Sequence, residues 1–172
     1  MTAADSPLGR ALVEEATKKS GLIWVRATGS ARAVWHVWLD GAAHLVGDGP
    51  GEQPLPEGLA GGQTAEVTVR SKDKGGRIVS WTAAVDEPAP RTPAWEAAVA
   101  ELKGKRLNAP DAERIVDRWA DECRVLRLTP VASTTDLPSG SLAARPPATA
   151  ATTRRPVPAA LPRLLLKRRR SR

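Results

Sequence analysis

Residues 32–46 read Arg32-Ala-Val-Trp-His-Val-Trp-Leu-Asp-Gly-Ala-Ala-His-Leu-Val46, and this stretch decides the fold. Its first half alternates. Ala33, Trp35, Val37 and Leu39 fall on one face of an extended chain; Val34, His36 and Trp38 fall on the other. Asp40-Gly41 follows, a pair suited to the positive φ angles that a type I′ hairpin turn requires at both central positions. Ala42–Val46 is then the returning strand. Because alternation separates Trp35 from Trp38, at most one of them points into an enclosed core. The other needs cover from a helix or a second subunit.

Working outward, residues 22–27 (LIWVRA) are a β-rich run, and residues 7–19 place Leu8, Ala11, Leu12 and Ala16 at helical spacing after Pro7. Residues 47–62 are loop by composition. Residues 63–70 alternate, with Ala65, Val67 and Val69 on one face. A Lys72–Gly76 turn joins them to a partner strand at 77–85, which makes a second hairpin. Thr92-Pro93 opens a helix, with Thr as N-cap and Trp95, Val99 and Leu102 as its stripe. Pro110 opens another, with Ile115, Val116 and Trp119 inward. Residues 123–130 are a last strand. The sum is mainly β with α: a six-stranded antiparallel barrel over residues 1–132 with three flanking helices. The order has no βαβ alternation, which argues against a Rossmann-type sheet.

The chain has 172 residues and a formal charge of +7, placed unevenly. Residues 133–172 hold nine bases and one acid, Asp136, whereas residues 1–132 hold 17 bases and 18 acids. The high isoelectric point therefore belongs to the tail. All six tryptophans lie in the first 132 residues, and the tail has six prolines and no aromatic residue. Such a segment cannot bury enough apolar surface to offset chain entropy and is expected to be disordered. Its end, LPRLLLKRRRSR, offers contact with nucleic acid or an anionic membrane, or is a solvated tail. A single cysteine excludes a disulfide framework. Residues 1–20 do not read as a signal peptide, and the expected location is cytoplasmic.

Chemistry-bearing motifs are few. The sequence contains no phosphate-loop, dinucleotide or zinc-protease signature. His36 and His44 flank the Asp40-Gly41 turn, but two histidines without a further ligand do not make a metal site. Cys123 reads as a structural thiol. Lys72, Lys74 and Arg77 surround the second hairpin turn, either as an anion clamp or as a solvated loop. The strand tryptophans either floor a pocket for a planar ligand or fill the core of a chain that has no Phe or Tyr.

The order of elements, with the 32–46 stretch, the alternating residues 66–70, the 77–85 strand and Trp95-Glu96, resembles the flavin-binding split barrels related to pyridoxamine 5′-phosphate oxidase. It looks most like a small actinobacterial branch of that superfamily. The resemblance spans roughly residues 7–131. It implies a homodimer with FMN, or a deazaflavin or haem, in the groove between subunits, and the redox chemistry of a flavin-dependent oxidoreductase. It places the cofactor ring along Val34, Trp35 and His36 and the phosphate near Gly47. Residues 51–58, where such proteins carry phosphate-binding cations, here hold Glu52 and Glu57 and no cation. Positive charge for a phosphate must then come from Lys72, Lys74 or Arg77. A non-catalytic dimeric barrel that has lost the phosphate segment is the other reading.

Overall fold

The computed structural model describes residues 7–72, 75–107, 109 and 111–133. The elements are α1 (Pro7–Lys19), β1 (Leu22–Arg26), β2 (Arg32–Trp35), β3 (Val37–Leu39), β4 (Ala42–Gly47), β5 (Thr64–Arg70), β6 (Arg77–Asp86), α2 (Pro93–Lys105), α3 (Ile115–Glu122) and β7 (Arg124–Ser133). All seven strands form one antiparallel sheet in the order β2-β1-β5-β6-β7-β4-β3.

The two ends of that order, β2 and β3, are consecutive in the chain and separated only by His36. The sheet therefore curls until its ends share one run of backbone, which makes it a nearly closed barrel. Six strands are expected and seven are found, because the run 31–39 breaks at His36. Its first half pairs with β1 and its second half with β4. Alternation continues through the break. Val34 and Trp38 join the barrel interior, while Trp35 and Val37 lie against the helices outside. Trp38 meets Trp81 edge to face, with centroids 6.3 Å apart, a geometry that adds about 0.5–1.5 kcal/mol beyond burial.

The turn at Asp40 and Gly41 has φ of 46° and 72°, as a type I′ turn demands. β7 runs past Pro130, where the expected strand ended. A register shift between Thr82 and Ala83 leaves Val131 unpaired, directly after Pro130, the residue that cannot donate to the ladder. α3 starts at Ile115, later than expected, after a turn over residues 111–114. Pro110 itself lies outside the described residues. Thr92 makes no side-chain cap. Its hydroxyl donates instead to the Ala89 carbonyl at 2.7 Å, and Pro93 supplies the first helical residue.

The apolar interior is divided in two by the barrel wall. Inside lie Ile23, Val25, Leu45, Val67, Trp81, Leu126 and Leu128, stoppered by Val13 of α1 and by Leu55 and Leu59 of the 48–63 loop. Outside, α2 and α3 lay Trp95, Val99, Leu102, Ile115 and Trp119 over Val37, Val46 and Val125. β4 is buried along its whole length because both of its faces are covered. No described helix is long and apolar enough to cross a membrane. The expectations for residues 134–172 fall outside the described residues.

Candidate functional site

The break at His36 opens onto a cavity of about 770 Å³. Its floor is the run Trp35 to Trp38. The end of α1 contributes Lys18 and Lys19, the β5–β6 turn contributes Lys72, and the end of α2 contributes Glu101, Lys105 and Arg106. Five cations thus face one acid. Three of them are already engaged, Lys18 with Glu14 and Lys19 with Glu15 on α1, and Arg106 with Glu52. Among the described residues, neither Lys72 nor Lys105 has an ion-pair partner. Lysines near a helix C-terminus also offset its negative dipole end, which explains part of their placement without a ligand.

His36 is half-buried, and its Nε2 lies 3.0 Å from the Thr17 carbonyl oxygen. A carbonyl only accepts, so Nε2 carries the proton and Nδ1 carries the lone pair. Nδ1 is buried and has no partner. Burial pushes the pKa of this imidazole down, and the Thr17 carbonyl only partly opposes it. His36 is therefore a neutral ring of fixed tautomer. It is not a cross-strand neighbour of His44, which stands opposite Val37.

Where β2 stops, the backbone of Trp35 is completed by a side chain. Trp35 N–H donates to Gln53 Oε1 at 2.7 Å, and Gln53 Nε2 donates to the carbonyls of Trp35 at 2.9 Å and Val46 at 3.1 Å. The neighbouring Glu52 turns inward. Its side chain is fully buried and accepts from Arg106 Nε at 3.1 Å, Arg118 Nη2 at 3.1 Å and Trp119 Nε1 at 3.0 Å. Arg118 also grips Asp111, at 2.6 and 3.1 Å. Arg106 continues to the Gly51 and Leu107 carbonyls and stands over the Trp35 ring, 5.9 Å from its centroid. Asp48 is likewise engaged, by Leu55 N–H at 2.8 Å and by Arg124. Glu52 and Asp48, which would repel a phosphate, are thus each paired with arginine from within the fold.

Of the residues singled out from sequence, Trp35, His36 and Lys72 come together at this cavity. Val34 is fully buried inside the barrel. Gly47 lies under the loop, where an added Cβ would sit 2.4 Å from the Gln53 carbonyl oxygen and 2.7 Å from Leu55 Cγ. Arg77 is exposed at the start of β6 and does not line the cavity. Lys74 lies outside the described residues. Sequence reasoning did not assign Lys18, Lys19, Lys105 or Arg106 to a site. Their signal was present as bases crowding two helix C-termini, but only the fold shows that those ends converge.

No protein-family model matches the chain, and the curated proteins yield no sequence match. Solved structures similar to it include a candidate general stress protein 26 from Jannaschia sp. CCS1, at 20% identity over 67% of this chain and 69% of that one, with a TM-score of 0.46. They also include HutZ, a haem storage protein from Vibrio cholerae, at 12% identity over 69% of this chain and 87% of that one, with a TM-score of 0.45.

Proposed function

We propose that the cavity over Trp35 and His36 binds a planar, anionic cofactor of the flavin or deazaflavin class. The observation that carries this is an aromatic floor in about 770 Å³ lined by five cations and one acid, with Lys72 and Lys105 lacking an ion-pair partner among the described residues. That volume lies within the range of small-molecule sites. The ring would lie against Trp35 and the neutral His36, and Lys72 and Lys105 would offset the phosphate. A flavin, when bound, supplies hydride and electron transfer; this chain's residues bind and orient it. Haem fits the charge but not the histidine. His36 Nε2 is tied to Thr17 and Nδ1 is buried, so His36 would hold iron only after its ring turned.

A homodimer suits this reading, since the cavity is open and Leu22, 51% exposed, follows Gly21 at its rim. The alternative is a dimeric barrel without a cofactor. It is favoured by one observation: Glu52 and Gln53 use the 51–58 segment to hold the barrel together and supply no cation to a phosphate.

The test is an absorbance titration of the full chain with FMN, a deazaflavin and haem. A saturating shift with one flavin-type ligand, lost in Trp35→Ala and weakened in Lys72→Glu, is expected. A tryptophan-only spectrum that no ligand shifts would overturn the proposal in favour of the cofactor-free barrel.

A further inference from the structure

A second cavity, of about 330 Å³, opens beside the first, between α1 and the β5–β6 hairpin. Its apolar walls are Leu12 and Ala16 of α1 and Ile78 of β6, backed by the fully buried Val69 of β5. Leu12 and Ala16 are one helical turn apart, and the small Ala16 leaves the space between helix and sheet unfilled. Ile78 is 45% exposed, an apolar side chain kept at the mouth. The two cavities share Lys19, Ser20 and Lys72. They are therefore neighbours, one mainly apolar and one cationic, with both lysines on their common border and Arg70 also on the apolar one. Glu15 is the acid on the apolar cavity, and its charge is matched by Lys19 at 2.8 Å. Lys72 has no ion-pair partner among the described residues.

We propose that the apolar cavity and its lysine border bind a single-chain amphiphilic anion such as a fatty acid. The hydrocarbon lies against Leu12, Ala16 and Ile78, and the anionic head sits at Lys72 and Lys19. The charge at the border selects the occupant. A neutral apolar molecule would leave Lys72 without a counter-charge among the described residues, and a small anion would leave the apolar walls wet. The site shares Lys72 and Lys19 with the cofactor cavity, but none of its apolar walls lines that cavity, so its hydrocarbon part stands without the cofactor reading.

The experiment is displacement of dansyl-labelled undecanoic acid from the full chain by dodecanoate, dodecyl phosphate, dodecanol and acetate. Dodecanoate should displace it, dodecanol at least tenfold less well, and acetate not at all. Affinity should rise up to about fourfold per added methylene until the cavity is full. A stronger effect of dodecyl phosphate than of dodecanoate would identify the head group as a phosphate ester within the same site. Ile78→Asp, at a position 45% exposed, should abolish displacement while the thermal melt stays cooperative. Lys72→Glu should lower dodecanoate affinity and spare dodecanol. Trp35→Ala, which removes the cofactor floor, should leave fatty-anion binding intact, so either proposal can fail without the other. Equal displacement by dodecanoate and dodecanol, no probe binding, or an unchanged Ile78→Asp would overturn the inference.

Discussion

The side-chain amide of Gln53 stands beside Trp35 as a strand would, taking its N–H at 2.7 Å and giving to its carbonyl at 2.9 Å. The pairing fixes the orientation of the amide, since a backbone N–H must meet oxygen and two carbonyls must meet nitrogen. One residue of a loop thereby closes the gap that the chain leaves when it crosses from one end of the sheet to the other.

Gln53→Ala should therefore cost more than a surface substitution. It strands one donor and two acceptors in a partly buried place, and unmet groups of that kind cost about 1–3 kcal/mol each at most. Gln53→Glu should not rescue it, because a carboxylate keeps the acceptor for Trp35 N–H but loses both donors. Urea unfolding of the two variants checks this. Wild-type midpoints would remove the amide from any role in closing the barrel.

Glu52 is a buried carboxylate shared by two guanidinium groups and an indole. Removing one partner of such a group costs about 3–5 kcal/mol. Arg118→Ala should fall toward the lower end, because Arg106 remains. Adding Glu52→Gln to Arg118→Ala should recover part of the loss by removing the orphaned charge. A double-mutant cycle from denaturant melts measures the coupling, and strict additivity would show that the carboxylate and guanidinium act independently.

Both histidines have pKa values pushed below 6.5, in each case chiefly by burial. The sign follows from proton counts. Between those lowered values and 6.5 the unfolded chain holds more protons than the folded one, so stability rises with pH there. Stability should be level with respect to these groups above about pH 6.5 and decline as the solution is acidified below it. Each histidine contributes a slope of up to about 1.4 kcal/mol per pH unit in that window. His36→Gln and His44→Gln should each flatten the profile, and profiles identical to wild type would contradict the assignment.

Burial pushes the Cys123 thiol up to about 11. Iodoacetamide at pH 8 should modify it slowly in the native protein and rapidly in guanidinium. The same sulfur crowds Gly49, where an added Cβ would sit 2.1 Å from Cys123 Sγ and 2.6 Å from the Glu122 carbonyl oxygen. Gly49→Ala should destabilise the fold. Cys123→Ala should restore only part of the loss, because the carbonyl contact remains. Thermal melts of the single and double variants decide this.

Much of the barrel is written in local pattern. Asp40-Gly41 announces its turn through the two positive φ angles it tolerates, and the alternation of residues 33–39 places Trp35 and Trp38 on opposite faces whether or not the strand is continuous. The break itself leaves no such trace. Alternation runs straight through His36, and what interrupts pairing is the geometry of a curling sheet. The inward turn of Glu52 is equally silent in sequence, because its partners Arg106, Arg118 and Trp119 arrive from helices more than fifty residues away. Composition made the 51–58 acids look exposed and repulsive; folding makes Glu52 a buried anchor. The candidate cavity was legible only in its floor and in Lys72, since the ends of α1 and α2 meet through tertiary packing alone.

The crossing at His36 bears on how the molecule comes apart. An open sheet can unzip from either end, one strand at a time. Here the two terminal strands are a single piece of chain, so peeling β2 from β1 drags on the pairing of β3 with β4. Local fraying is thereby coupled across the whole circumference. Amides of β2 and β3 should accordingly exchange with solvent together, with the Gln53 clasp setting how often the ring is breached.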